Sequence, residues 1–325
     1  MNFSTILLSK YFFFFFIFVV VLFASQPGTA QVILKKQTTL MGSVFNFTVV
    51  DKNNLTAKSN LDDVINEIER IENLISEWRP ETQISKVNKN AGIEAVKVDR
   101  EVFDLTKRAI DYAKMTDGAF DISIAALDQI WKFDGSMDTL PNQEAIKKTI
   151  KNIGYQNIIL DSVNCTIFLA RKGMKIGFGS IGKGYAADRG KELLQAKGVI
   201  GGIVNASGDM ATWGNQLNGK PWVVGITNPF KTNRIYKKIK LKDHAVVTSG
   251  SYEKFAEING VRYSHIINPK TGYPAIGLIS VTVVGPSAEF ANALSTSIMV
   301  LGKKEGLKLL KRYPKYKGIL IKDRD

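Results

Sequence analysis

The sequence predicts an α+β fold with largely antiparallel sheets flanked by helices. Apolar residues recur at helical spacing in well-separated segments, beginning with Leu61, Val64, Ile65, Ile68, Ile71, Leu74 and Ile75. Strand-like runs lie between these segments, and several follow one another with no helix intervening. A doubly wound parallel sheet needs a helix at each crossover, so consecutive strands select antiparallel pairing.

Residues 1–30 have the layout of a secretory leader. Lys10 precedes an unbroken apolar and aromatic run, Tyr11 to Ala24, and Gly28-Thr29-Ala30 supply small side chains before Gln31. The run is short for a bilayer span, which points to cleavage after Ala30 and an exported, periplasmic protein. No cysteine stands near that junction, so a lipoprotein anchor is not expected. Residues 31–325 then form one unit, with no repeat, low-complexity tract or linker rich in Pro, Gly or Ser.

The first amphipathic helix is expected from Asn60, which would act as its N-cap. Further helices are expected over Arg100 to Met115, Gln143 to Ile153 with Gly154 behind it, and Tyr185 to Lys197 with Gly198 as the stop. Ala288 to Leu301 and Lys304 to Arg312 form a last pair. Strands are expected at Val44 to Val50, Asn157 to Ala170, Gly202 to Ala206, Trp222 to Ile226, Ala245 to Thr248, Tyr263 to Ile267, Leu278 to Val284 and Gly318 to Ile321.

The formal charge is +14, with lysines spread along the chain. The densest group, Lys231 to Lys242, alternates charged and apolar residues like the solvated face of a strand, while attraction to anionic lipid or an acidic partner is its functional alternative. An exported chain without a reading motif is not expected to meet nucleic acid. The only cysteine, Cys165, excludes an intramolecular disulfide and reads as a small buried hydrophobe.

The segment Gly177-Phe178-Gly179-Ser180-Ile181-Gly182-Lys183-Gly184 fits two phosphate-loop patterns, each imperfectly. A dinucleotide fingerprint lacks its βαβ unit, and a P-loop needs Ser or Thr where Gly184 stands. Glycines that let backbone N–H groups approach an anion, with Lys183 at a helix start, remain one reading; a tight strand-to-helix turn is the other.

Eight short segments in order resemble the ApbE family of FAD:protein FMN transferases. They are Met41-Gly42-Ser43, Ser76 to Ser85 with Asn88, Thr116 to Ser123 with Trp131 and Phe133, Gly179 to Asp188, Asn205 to Asp209, Thr248 to Tyr252, His265 to Pro274, and Ala291 to Thr296. The resemblance implies a T-fold-related α+β protein holding FAD in a cleft with Mg2+ on its pyrophosphate. It also implies transfer of FMN to a Thr or Ser of an acceptor flavoprotein in an electron-transfer complex, with release of AMP. Carried over by position, Met41, Trp78, Ala119, Phe120, Asp121 and Lys183 would line FAD, while the Ser180 carbonyl, Asn292 and Thr296 would reach the metal.

Two departures stand out against that family. Asn292 replaces a common Asp, and Gly177 replaces an Asp that touches the flavin nucleotide in some members. Glu289, Asn292 and Thr296 share one helix face at i, i+3 and i+7, so Glu289 could restore the missing charge. The alternative for Asn292 is a solvent-facing side chain, and for Thr296 either that or a bond back to a carbonyl one turn earlier. His265 reads either as the base for a target hydroxyl or as a structural histidine. Asp209 is expected to shape a loop. Three functions follow from such a site: FMN transfer, FAD hydrolysis to FMN and AMP, or FAD storage. The positive charge and the leader leave inner-membrane surface association open.

Overall fold

The computed structural model describes residues 31–252 and 254–323, so the expected leader lies outside the described residues. In chain order the elements are β1 (Val32–Leu40), β2 (Ser43–Asp51), α1 (Asn54–Ile75), α2 (Gln83–Lys89), β3 (Val96–Lys97) and α3 (Arg100–Met115). A 3-10 helix over Ile122–Gln129 leads to α4 (Gln143–Ile150), β4 (Ile158–Asp161), β5 (Thr166–Leu169) and α5 (Gly182–Ala196). Then come β6 (Gly201–Ala206), β7 (Asp209–Trp213), β8 (Trp222–Asn228), β9 (Lys231–Leu241), β10 (Ala245–Gly250), β11 (Phe255–Ile258) and β12 (Val261–Ser264). The chain closes with β13 (Leu278–Gly285), α6 (Ala288–Lys311) and β14 (Lys317–Lys322).

Seven strands form one sheet in the order β1-β2-β6-β7-β10-β13-β14, and every neighbouring pair is antiparallel. Strand alternation gives this sheet two apolar faces. Phe45, Phe47, Val49, Val247, Val281 and Val283 pack against α1, α5 and α6. On the other face Val246 and Val284 meet Val224 and Leu241 of the β8–β9 ribbon. A second core joins the end of α1 to α2, α3 and the small β3-β5-β4 sheet through Ile75, Ile84, Leu105 and Ile167. Helix α5 bridges the two cores, with Tyr185 in one and Ala186 and Ala187 in the other, and Met41 packs against both.

The α+β expectation holds, but several boundaries move. Helix α1 starts at Asn54, where the Asn53 side chain accepts from the Thr56 N–H, rather than at Asn60. Asn60 is instead inside the helix and donates to the Asp51 carboxylate at 2.7 Å. The run Asn157 to Ala170 is two strands, because the chain turns before Cys165, which has φ +56° and is half-buried rather than in a strand. The strand expected over Tyr263 to Ile267 ends at Ser264, which frees His265 from the ladder. The two C-terminal helices are separated, as expected, by a break at Gly302 (φ 74°, ψ 177°). Among the described residues no helix is long and apolar enough to cross a membrane.

Candidate active site

The glycine-rich segment crosses between the two cores and turns into α5. The Phe178 carbonyl accepts from Ile181 and Gly182 at 3.0 and 2.6 Å, which tightens the turn ahead of the helix. Gly184 lies in the first turn of α5, where backbone N–H groups have no partner inside the helix, and its N–H is satisfied by Asn292 Oδ1 at 3.1 Å. Ser180 precedes the helix, so its carbonyl takes no part in the helical ladder. A Cβ at Gly184 would lie 2.6 Å from both the Ala288 carbonyl and Asn292 Oδ1, so glycine is what lets α5 and α6 touch. The Gly184 that spoils a P-loop reading is therefore a packing requirement.

Gly177 also has a partner that the sequence does not reveal. A Cβ there would fall 2.6 Å from a Glu77 carboxylate oxygen, so Glu77 occupies the space beside this glycine. Burial pushes the Glu77 carboxyl above its ordinary range, and the Phe178 backbone N–H offsets part of that cost. The carboxyl group at the first glycine of this segment belongs to the protein itself.

Lys183 stands at the start of α5 with its Nζ 4.0 Å from Asp209 Oδ2. Asp209 is fully enclosed, and burial raises its carboxyl to about 6. Lys183, the Asn292 side chain and the Thr248 backbone N–H all favour its charged form. Asn292 thus links the helix start to this carboxylate. Thr296 lies one turn further along α6, 3.4 Å from Ser249 Oγ, and Ser249 in turn meets Ser295 at 2.8 Å. Its neighbours Ser295 and Ser297 bond back to the carbonyls of Asn292 and Ala293. Thr296 faces Ser249 instead, and it is the only residue from Ala291 to Met299 that is not buried.

His265 follows β12 directly. Its Nδ1 lies 2.9 Å from the Lys254 carbonyl, which can only accept, so Nδ1 holds the proton and Nε2 presents a lone pair. Burial lowers its pKa, and the positive charges of Lys254 and Lys183 lower it further. The Phe133 ring meets the imidazole edge-on with centroids 6.4 Å apart, and Phe133 stacks on Trp131. Trp131 Nε1 donates to the Gly272 carbonyl at 2.9 Å, and Lys270 pairs with Asp117. These bonds tie the loop after His265 to the turn before Phe120.

The remaining expected residues divide. Met41 lies against the α5 start, its Cε 3.4 Å from where a Gly182 Cβ would be, and its N–H donates to Glu72 at 2.9 Å. Trp78 is 72% exposed with the Lys175 ammonium 4.7 Å from its ring centroid, on a groove it shares with Glu77 and Gln129. Ala119 and Phe120 are buried, so they offer a ligand their backbone rather than their side chains. Asp121 is occupied by scaffolding: Oδ1 accepts from Ser123 at 2.8 and 2.6 Å, and Oδ2 from the Tyr155 N–H at 2.8 Å.

Glu289 corrects the sequence expectation. Its carboxylate is held by the Arg108 guanidinium at 2.8 and 3.0 Å and by the Tyr112 hydroxyl at 2.8 Å. Both oxygens are engaged by α3, so in this structure Glu289 fastens two helices. The anion next to Asn292 is Asp209. Neither Arg108 nor Tyr112 lies in a recognisable motif, whereas Asp209 and Ser249 stood inside segments already singled out.

A magnesium ion asks for hard oxygen donors and keeps several waters. The Ser180 carbonyl and Thr296 hydroxyl meet that requirement, and Asn292 Oδ1 adds a third oxygen only by sharing it with Gly184. Among the described residues no group of three His, Cys, Asp or Glu side chains could hold a metal, so the charge at such a site would come from Asp209 and a bound pyrophosphate.

The fold sets a glycine-rich helix start between two cores, with the Lys183 ammonium beside a buried carboxylate and His265 within reach of its charge. A sequence model of the ApbE family matches residues 41–320. An FAD:protein FMN transferase from Klebsiella pneumoniae (strain 342) is 31% identical over 261 residues, 79% of this chain and 81% of that protein. One from Treponema pallidum (strain Nichols) is 31% identical over 276 residues, 80% of this chain and 76% of that protein. The solved ApbE protein of Thermotoga maritima superposes with a TM-score of 0.83 at 32% identity, covering 90% of this chain and 94% of that one. The chain belongs to the ApbE family.

Proposed function

We propose that the protein transfers the FMN half of FAD to a hydroxyl of an acceptor protein, releasing AMP. The observation that carries this reading is His265, whose Nε2 is left free while its Nδ1 is fixed on Lys254. The acceptor hydroxyl oxygen attacks the FMN-side phosphorus, its proton passes to Nε2, and the bond to the AMP phosphate breaks. Lys183 neutralises charge gathering on the phosphate oxygens, while Asp209 and Asn292 hold Lys183 and the α5 start in place. Phe133 and Trp131 wall the imidazole on one side and limit water there.

The Ser180 carbonyl and Thr296, with Asn292 in a lesser part, would hold Mg2+, which supplies charge neutralisation at the pyrophosphate when bound. The leader-like residues 1–30 support export to the periplasm, where the acceptor would be a flavoprotein of an electron-transfer complex at the inner-membrane surface. Incubation with FAD, Mg2+ and a Thr-bearing acceptor tests the reading. Covalent flavin on the acceptor is expected; free FMN alone would mark a hydrolase, and intact FAD a storage protein. N-terminal sequencing of the protein from a periplasmic fraction should begin at Gln31, and recovery of an uncleaved cytoplasmic chain would overturn the placement.

A further inference from the structure

The β8–β9 ribbon carries a surface that the transfer reaction does not use. Its inner residues Trp222, Val224, Ile226 and Leu241 are buried, which anchors an otherwise marginal two-stranded ribbon to the main sheet. Its outer face follows from the register: Val223 pairs with Lys240, Gly225 with Lys238, and Thr227 with Ile235. Cross-strand partners project to the same side, so lysines and apolar groups share one face. Gly225 leaves room for Ile235, whose Cδ1 lies 3.0 Å from where a Cβ would be. Val223, Ile235 and Tyr236 are each more than half exposed, at 51%, 56% and 54%. Lys238 and Lys240 stand on this face, Lys237 pairs with the buried Ile226 on the other side, Lys231 and Arg234 add charge nearer the turn, and neither strand contains an acid.

We propose that this ribbon docks the protein on an anionic phospholipid surface. Charge complementarity selects an anionic occupant, and the residue types select lipid over a protein. Protein interfaces are depleted in lysine, and their charged contacts favour the planar fork of arginine. A lipid surface instead accepts flexible lysines that reach phosphates while their stems lie along apolar neighbours, with tyrosine and aliphatic side chains at the headgroup level. The proposal rests on the membrane-proximal placement given above. Vesicle binding tests the ribbon itself, and cell fractionation tests the compartment, so the two can fail separately.

The experiment is co-sedimentation of the full chain with phosphatidylcholine vesicles with and without roughly one-third phosphatidylglycerol. The wild type should bind the anionic vesicles, and a Lys238→Gln/Lys240→Gln variant should bind them about thirtyfold more weakly. Transfer of FMN in free solution should be unchanged, which shows that the variant is folded. Ile235→Ser/Tyr236→Ser should weaken vesicle binding by about tenfold while leaving binding to soluble polyglutamate as it was. If the lysine variant loses its fold, release of the wild type from anionic vesicles by added salt carries the charge test. Equal binding to both vesicle types, or undiminished anionic binding by the lysine variant, overturns the proposal. Binding of polyglutamate as tight as that of vesicles, with Ile235→Ser/Tyr236→Ser inert, would make the ribbon a seat for an acidic protein and overturn it as well.

Discussion

The Nδ1 of His265 lies 2.9 Å from the carbonyl oxygen of Lys254, and this one bond fixes the imidazole tautomer. With the proton held on Nδ1, the opposite nitrogen can only accept. Burial and the charges of Lys254 and Lys183 lower the His265 pKa, so the ring stays neutral to lower pH than a free histidine.

A base works when it is unprotonated, so the sign of this shift extends activity toward acid. The value of kcat/KM for transfer should rise with pH through an apparent pKa below the ordinary histidine value and be level at neutral pH. Replacing His265 with Gln should lower transfer by about 100- to 10,000-fold while FAD binding persists. A profile unchanged by the substitution would return His265 to a structural role.

Glu289→Gln separates a fastener from a ligand. The Glu289 carboxylate closes a contact with Arg108 and Tyr112 across α3 and α6. Arg108 is itself 40% exposed, which screens the pair, so the substitution should cost about 1–3 kcal/mol of stability rather than the full cost of a buried ion pair. Thermal melting would register that loss, and Mg2+ titration in the presence of FAD should not change. Weaker metal binding with an unchanged melt would put Glu289 back at the site.

In the sequence, Lys183 stands out by its glycine-rich turn, Thr296 by a polar stripe on an apolar helix, and His265 as one of two histidines, just ahead of Asn268 to Gly272. Glu289 was visible as one face of a helix, but its partner Arg108 is 181 residues away on another helix, and no periodicity reports such a meeting. The Glu77 carboxylate beside Gly177 is equally non-local, a contact made by folding one motif against another. Strand β1 gave no strand signal, because an edge strand with Lys35, Lys36 and Gln37 exposed does not alternate. The start of α1 was misplaced because Leu55 is exposed and Thr56 and Lys58 interrupt the apolar period, although Asn53 is the actual cap.

Gly184→Ala tests the approach of α5 to α6. The added methyl would meet a backbone carbonyl and the Asn292 side chain at 2.6 Å, and a carbonyl within a helix cannot swing aside as a flexible side chain can. Urea unfolding should show a loss of about 1–3 kcal/mol, with weaker FAD binding because the Asn292 bond to Gly184 is displaced. Full stability with normal FAD affinity would show that the two helices need not touch.

Thr296→Val keeps the shape of the side chain and removes its oxygen. Thr296 faces Ser249 from an otherwise buried stretch of α6, and its hydroxyl is not used in the back-bonding that Ser295 and Ser297 perform. If that oxygen serves the metal, Mg2+ affinity in the presence of FAD should fall by about tenfold or more, while the melting temperature without metal changes little. The opposite pattern, a lowered melt with metal affinity intact, would assign the hydroxyl to the Ser249 contact alone. The comparison is informative because Ser249→Ala removes that contact without removing the Thr296 oxygen. It should therefore weaken metal binding less than Thr296→Val does, and a greater effect from Ser249→Ala would make Ser249 the nearer ligand.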